Sequence, residues 1–185
     1  MAVLSVNDFK QQLAGGGARP NLFKVTFRAP PGIAGVEAIR DEKTSFMCRA
    51  AQLPSSIMGN IIVPFRGRQV QIAGDRVFEP WVATVFNDTD FAIRTAMETW
   101  MNGINNHEDN SGVTTPDQYQ VDLDVEQLDK NGDTLYTYKF VGAFPTNISP
   151  IDLSYDNNDI IEEFSIEFQI QYWHSFNQAK AQVTS

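Results

Sequence analysis

The side chains best equipped for chemistry fall into small groups, and each lacks a partner that its chemistry requires. Asp129-Lys130-Asn131-Gly132-Asp133 begins like a calcium loop. Such a loop needs glycine at its sixth position and a bidentate glutamate at its twelfth. Thr134 and Phe140 stand there instead, and the Asn131-Gly132 pair suits a hairpin turn. His107-Glu108-Asp109 sets three metal-type ligands in a row, but inside a polar run from Asn105 to Asn110 that reads as solvated loop. The other histidine, His174, is distant, and neither has a spaced partner of the HExxH kind. Cys48 sits in an alternating segment and reads as a small core residue rather than a nucleophile. No GxSxG elbow and no GKS or GKT phosphate loop occurs. Asn87-Asp88-Thr89 and Asn147-Ile148-Ser149 fit the glycosylation triplet without a secretory signal to support that use. The sequence therefore implies no cofactor, no metal site and no catalytic residue.

Composition narrows the class further. At 185 residues the chain suits one domain, 1-185, large enough to bury a real core. No apolar run approaches the roughly 20 residues of a membrane span, so no membrane anchor is expected. The start, MAVLSVNDFKQQL, lacks the basic and apolar blocks of a secretory signal. One cysteine excludes an internal disulfide framework and fits a reducing compartment. The net charge of −9 argues against gripping phosphates, which takes Lys and Arg. It is compatible with a surface past which DNA slides, and equally with acidity that serves only solubility.

The elements that would position any site are mostly strands. Ser5 to Ala14 can form a short helix, with Ser5 and Asp8 close to a capping box and Phe9 and Leu13 on one face. Gly15-Gly16-Gly17 then gives a hinge, so 1-17 is expected to be mobile or docked on a neighbour. Phe23, Val25 and Phe27 alternate as a half-buried strand, which Pro30-Pro31-Gly32 breaks. Thr44 to Gln52 reads as a second strand with Phe46, Cys48 and Ala50 inward, and Glu79 to Phe86 as another. Asp88 is the expected N-cap of the clearest helix, whose apolar stripe is Ile93, Met97, Trp100, Met101 and Ile104. Gln118 to Leu128 alternates, with Val121, Leu123 and Val125 in and Asp122, Asp124 and Glu126 out. Leu135 to Phe140 pairs with it across the Asn131-Gly132 turn. A last strand sets Phe164, Ile166, Phe168, Ile170 and Tyr172 against Glu163, Ser165, Glu167, Gln169 and Gln171. The tail 174-185 is expected to be flexible or to touch a neighbouring protein. Many strands, one solid helix and no βαβ rhythm predict a mainly β (α+β) fold. Its form is an antiparallel β-sandwich or split barrel with one packed α-helix.

One stretch does not fit a single small core. Ile57, Ile61, Ile62, Val63 and Phe65 lead to the polar tip Arg66-Gly67-Arg68, and Val70 and Ile72 follow in alternation. This predicts a long protruding β-hairpin turning at Gly67. A lone hairpin is marginal in water, so its apolar residues call for a surface on another molecule.

Directly after it come Gly74-Asp75-Arg76, Phe78, Trp81, Thr84-Val85 and Asn87-Asp88. This order resembles the tail tube proteins of contractile-tailed bacteriophages of the T-even type. Arg19-Pro20-Asn21 resembles that family's N-terminal signature, and Phe46, Cys48, Ala50, Leu53 and Pro54 its strand into the hairpin. Pro145-Thr146-Asn147 resembles its PTN turn. Asp156, Asn157, Asn158, Ile160, Phe164 and the closing Tyr172-Trp173 match its C-terminal strand region. The matches run in order from Arg19 to Trp173; no one of them is specific and the ordered set is. The loop Pro30–Lys43 is longer than the family's usual connection.

The resemblance implies a structural subunit of the virion, assembled in the bacterial host cytoplasm. It implies six-membered rings of identical copies stacked into a hollow tube that conducts the genome during sheath contraction. Sheath, baseplate and tail-terminator proteins would be its partners, with DNA passing through the lumen without specific binding. On that reading the hairpin residues Ile57, Ile61, Val63, Phe65, Arg66, Arg68, Val70 and Ile72 stack the rings. Asp122, Asp124, Glu126, Glu163 and Glu167 are the candidates for the lumen. Three other readings stand beside it: the tube protein of a type VI secretion or phage-derived injection device, a monomeric β-sandwich module binding sugar or peptide, and an enzyme, which a pocket with converging carboxylates would mark.

Overall fold

The computed structural model of the chain describes residues 5–12, 17–40 and 42–177. Seven strands form one folded sheet in the order β1-β6-β7-β8-β5-β2, with β9 also on β7. These are β1 (Phe23–Thr26), β2 (Cys48–Ala51), β5 (Trp81–Phe86), β6 (Val121–Leu128), β7 (Thr134–Ile148), β8 (Glu163–Gln169) and β9 (Tyr172–Phe176). A separate two-stranded sheet holds β3 (Ile57–Phe65) and β4 (Arg68–Val77). The strong helix is α3 (Ala92–Ile104), and three short ones are α1 (Val6–Gln12), α2 (Glu42–Met47) and α4 (Pro116–Tyr119).

Strand β7 joins the two halves of the sheet. Its first part pairs with β6 and β9, and its last part with β8. The bend falls at Gly142, whose φ of 64° is left-handed. A Cβ there would stand 2.7 Å from Gln171 Cγ, at the matching corner between β8 and β9. Glycine at this corner lets two long strands fold together around one core.

The alternating residues fill that core. Val121, Leu123 and Val125 from β6 and Phe164, Ile166 and Phe168 from β8 are all buried, as expected. Phe27, Trp81, Phe140, Phe168 and Trp100 form an aromatic cluster, with Trp81 and Phe140 centroids 4.8 Å apart. Ile93, Ala96, Met97 and Trp100 of α3 close one side, and Trp100 Nε1 donates to the Tyr119 carbonyl at 2.9 Å. Met101 and Ile104 are only half-buried at the end of that stripe.

Several expectations need correction. Residues 44–47 are helical, not strand, and Phe46 is 83% exposed; Ala50 is exposed as well. Thr44 carries the buried contact instead, its hydroxyl donating to the Ala38 carbonyl at 2.7 Å. Asp88 does not cap α3. Its carboxylate accepts from the Thr89 N–H and pairs with Lys43, while Asp90 accepts the Ala92 N–H at the helix start. Pro145-Thr146-Asn147 is not a turn but a bulged part of β7 against β8. Only β8 pairs with that part of β7, so proline loses no ladder bond on its other side. His174 to Phe176 belong to β9 rather than to a tail, because β9 continues the pairing along β7.

At the N-terminus the capping box is formed. Ser5 N–H donates to Asp8 Oδ2 and Asp8 N–H to Ser5 Oγ. The Ser5 hydroxyl, then its N–H, hold the Asp8 carboxyl below its usual range. Leu13 and Ala14 of the expected helix, Gly15 and Gly16 of the expected hinge, and 178–185 of the expected tail lie outside the described residues.

Candidate assembly surfaces

The hairpin β3–β4 stands apart from the body, and among the described residues its two strands pair only with each other. Phe65 faces Arg68 across a two-residue turn, with Arg66 at φ 46° and Gly67 at φ 81°. Two consecutive left-handed residues define the type I′ turn, whose twist matches that of the strands. The register sets Ile61 opposite Ile72 and Val63 opposite Val70. With a side-chain period of two, these residues share one face with Phe65. The other face carries Asn60, Ile62, Pro64, Gln69 and Gln71, with an Asn60–Gln71 side-chain hydrogen bond.

A bulge at Gly59 keeps the apolar face continuous. There β4 spends two residues, Gly74 and Asp75, where β3 spends one. The extra residue shifts the alternation of β4, so beyond Met58 with Arg76 the pair Ile57 with Val77 falls on the apolar face again. The backbones approach closely: a Cβ on Gly74 would lie 3.2 Å from Gly59 carbonyl atoms. Gly74 of the Gly74-Asp75-Arg76 signature is thus a bulge requirement. All of the hairpin's large apolar residues are exposed, from Val63 at 40% to Phe65 at 62%.

The acidic rows emerge on the outer side of the sheet, as their alternation implied. Cations from neighbouring elements interrupt them. Asp124 pairs with Arg28 at 2.7 Å and Asp122 with Lys139 at 2.9 Å, and Glu163 pairs with Arg49. Burial works against the charge of Asp122, but bonds from Lys139 and the Gly142 N–H prevail and hold its pKa below the usual range. Glu126 and Glu167 have no ion pair among the described residues. Arg28, Arg49 and Lys139 are the cations that sequence reasoning missed. Opposite charges at Asp124 and Lys139 are directly paired in register, but nothing in their sequence spacing of strand positions reveals it.

The remaining signature residues hold the body together. Trp81 Nε1 donates to the Gln52 carbonyl, and Trp173 Nε1 to the Ser55 carbonyl, so two tryptophans pin the base of the hairpin. Asn87 is buried and donates to Glu162 Oε2 at 2.9 Å. Arg19, Pro20 and Asn21 form the turn into β1, where the Arg19 carbonyl accepts from the Leu22 N–H and from Gln127 Nε2. Tyr172 is exposed at the start of β9, and the Thr146 hydroxyl donates to the Glu167 carbonyl.

Local contacts account for several of the polar groups that the sequence singles out. The Asp129 carboxylate accepts the N–H groups of Asn131 and Asp133, so the loop is a self-capped turn. Burial pushes the Cys48 thiol up to about 11, which leaves almost no thiolate at neutral pH. No group of three metal-type side chains converges among the described residues. No described helix is long and apolar enough to cross a membrane.

A family model for phage tail tube proteins matches residues 18–176. The chain belongs to the phage tail tube protein family. The tail tube protein of Serratia phage KSP90 is 29% identical over 167 residues, covering 89% of this chain and 93% of the relative. The tail tube protein gp19 of Enterobacteria phage T4 is 29% identical over 161 residues, covering 86% and 93%. Among solved structures, a chain of the anti-feeding prophage tube-terminating cap aligns with a TM-score of 0.60 at 15% identity, over 96% of this chain and 95% of that one. A chain of the sheath-tube complex of the PVC extracellular contractile injection system aligns at 0.54 and 13%, over 95% and 99%. At those identities the structural likeness speaks for the fold alone. As a tail tube protein the chain is a structural component of the virion and not an enzyme.

Proposed function

We propose that this tail tube protein closes into six-membered rings that stack into a hollow tube, through which the genome passes during sheath contraction. The observation that carries the reading is the hairpin: a continuous apolar face, half-exposed along its length, that the described residues leave uncovered. Burying it on further copies of the chain removes apolar surface from water at about 25 cal/mol per Å². Open strand edges support the same reading. Among the described residues, strands β1, β2 and β9 each pair on one side only. Ring closure gives such edges partners, and head-to-tail contact between rings extends them into a filament.

In this reading the residues Ile57, Ile61, Val63, Phe65, Val70 and Ile72 carry the stacking face, with Arg66 and Arg68 at its tip. The outer acidic rows supply the lumen wall, with Glu126 and Glu167 as charges that have no ion pair among the described residues. DNA then meets a wall without net attraction and slides without being held. Sheath, baseplate and tail-terminator proteins contact the finished tube from outside and at its ends.

Negative-stain electron microscopy of the purified protein tests the proposal, together with a variant lacking Phe65–Gln69. Rings or hollow tubes from the intact protein and none from the deletion are expected. Tubes of unchanged length from the deletion variant would overturn the role given to the hairpin.

A further inference from the structure

The segment 149–162 between β7 and β8 carries a second uncovered apolar surface among the described residues. Leu153, Tyr155, Ile160 and Ile161 are all more than 60% exposed there. The same stretch carries Asp152, Asp156, Asp159 and Glu162 and no Lys or Arg. With Arg49 and Phe86 from the adjoining strands it borders a groove of about 620 Å³. Arg49 is already paired with Glu163, and Glu162 with Asn87. Asp152 and Asp159 line the groove with no ion pair or side-chain hydrogen bond among the described residues.

The hairpin is its complement in both respects. It is apolar on one face and carries Arg66, Arg68 and Arg76 against the single acid Asp75, in a chain whose net charge is −9. Arg66 lies over the Phe65 ring at 5.4 Å, so an aromatic and a guanidinium already form one unit at the tip. Arg68 has no acidic partner among the described residues. Nine residues of extended strand give the hairpin a reach of roughly 25–30 Å. The groove volume lies in the range of sites that enclose a small ligand, enough for one or two large side chains.

We propose that the hairpin tip of one copy seats in the 149–162 groove of another. Phe65 enters between Leu153 and Ile160, and Arg66 and Arg68 meet Asp152 and Asp159. The inference rests on the self-assembly reading and names the surface that receives the hairpin. Each copy gives its hairpin to one neighbour and takes another neighbour's hairpin in its groove, a heterologous contact that generates a ring or a filament.

Mixed-cysteine cross-linking tests it. Phe65→Cys protein is mixed with Ile160→Cys protein under oxidation, and Lys130→Cys replaces Ile160→Cys in the control. Native Cys48 is buried in all of them. A cross-linked product well above the control is expected. Reversing Arg66 and Arg68 to Glu in the first partner should cut the yield several-fold, and Asp152→Lys with Asp159→Lys in the second should restore it. A yield no higher than the control overturns the proposal, whether or not tubes form. Tubes without the cross-link leave the tube reading intact and remove only the groove. The cross-link without tubes keeps the contact and counts against the stacked tube. Circular dichroism of each variant checks that the fold is kept.

Discussion

Replacing Ile61 and Ile72 together by Thr isolates what the hairpin contributes to assembly. The two face each other in register and are 53% and 50% exposed. Threonine keeps the branched Cβ that suits a strand, and a Thr pair can still bond across the ladder. Fully burying an isoleucine side chain gains roughly 1.5–3 kcal/mol, of which about half is still to be gained here, so about 1 kcal/mol each on contact with a partner. Losing about 2 kcal/mol per contact weakens association about 30-fold. The folded monomer should lose little, because neither residue belongs to the core. The assay is the protein concentration at which tubes or oligomers first appear, by light scattering and electron microscopy, beside a thermal melt. A raised threshold with an unchanged Tm is expected. An unchanged threshold would refute the reasoning, since the apolar face would then be uncovered in the assembly too. A large fall in Tm would refute it differently, by showing that the hairpin packs on its own body.

Gly142→Ala should destabilise the monomer by about 1–2 kcal/mol, the cost of a left-handed L-residue, plus the displacement of Gln171. Gly132→Ala is its control: φ is 91° but nothing lies near the added methyl, so only the conformational part is expected in urea unfolding. Phe168→Ala removes the ring shared by Phe27, Trp81 and Trp100, and should cost roughly 3–5 kcal/mol, lowering Tm on the order of 10 °C. A shift of a degree or two would mean that the cluster repacks. For acid stability, Asp122 has a depressed pKa in the fold. Its contribution is present above the unfolded Asp value of about 3.9 and is lost as pH falls through the lower folded value. Asp122→Asn should therefore flatten the loss of stability below about pH 4 and leave the shape of the curve between pH 5 and 8 unchanged. Glu126→Lys with Glu167→Lys leaves the three ion pairs intact and makes the proposed lumen attract phosphate. Particles should assemble and release DNA more slowly, and normal release would exclude these rows from the lumen.

Much of the fold is legible in residue periodicity, because alternation reports burial directly. Val121, Leu123 and Val125, and Phe164, Ile166 and Phe168, announce two strands with one face in the core. The type I′ turn follows from Gly67, and the capping box from Ser5 and Asp8. Residues 44–47 mislead because Phe-x-Cys-x-Ala alternates by chance. A helical turn is preferred once Thr44 reaches the Ala38 carbonyl and Lys43 reaches Asp88 and Asp90, contacts of tertiary origin. Asp88 misleads in the same way, since a good capping residue was drawn off to a lysine on another element.

The apolar residues of the hairpin, the acids of the outer rows and the order of signature residues were determined by the sequence alone. They sufficed to point to the phage tail tube family. Tertiary structure decided what register and folding bring together. It put a bulge at Gly59 and Gly74 that keeps Ile57 and Val77 on the apolar face. It set Arg28, Lys139 and Arg49 against acids that stand 96, 17 and 114 residues away. The physical reason is range. Burial and turn chemistry are local and leave their period in the chain, whereas charge pairing and surface complementarity depend on distances that exist only once the sheet has folded.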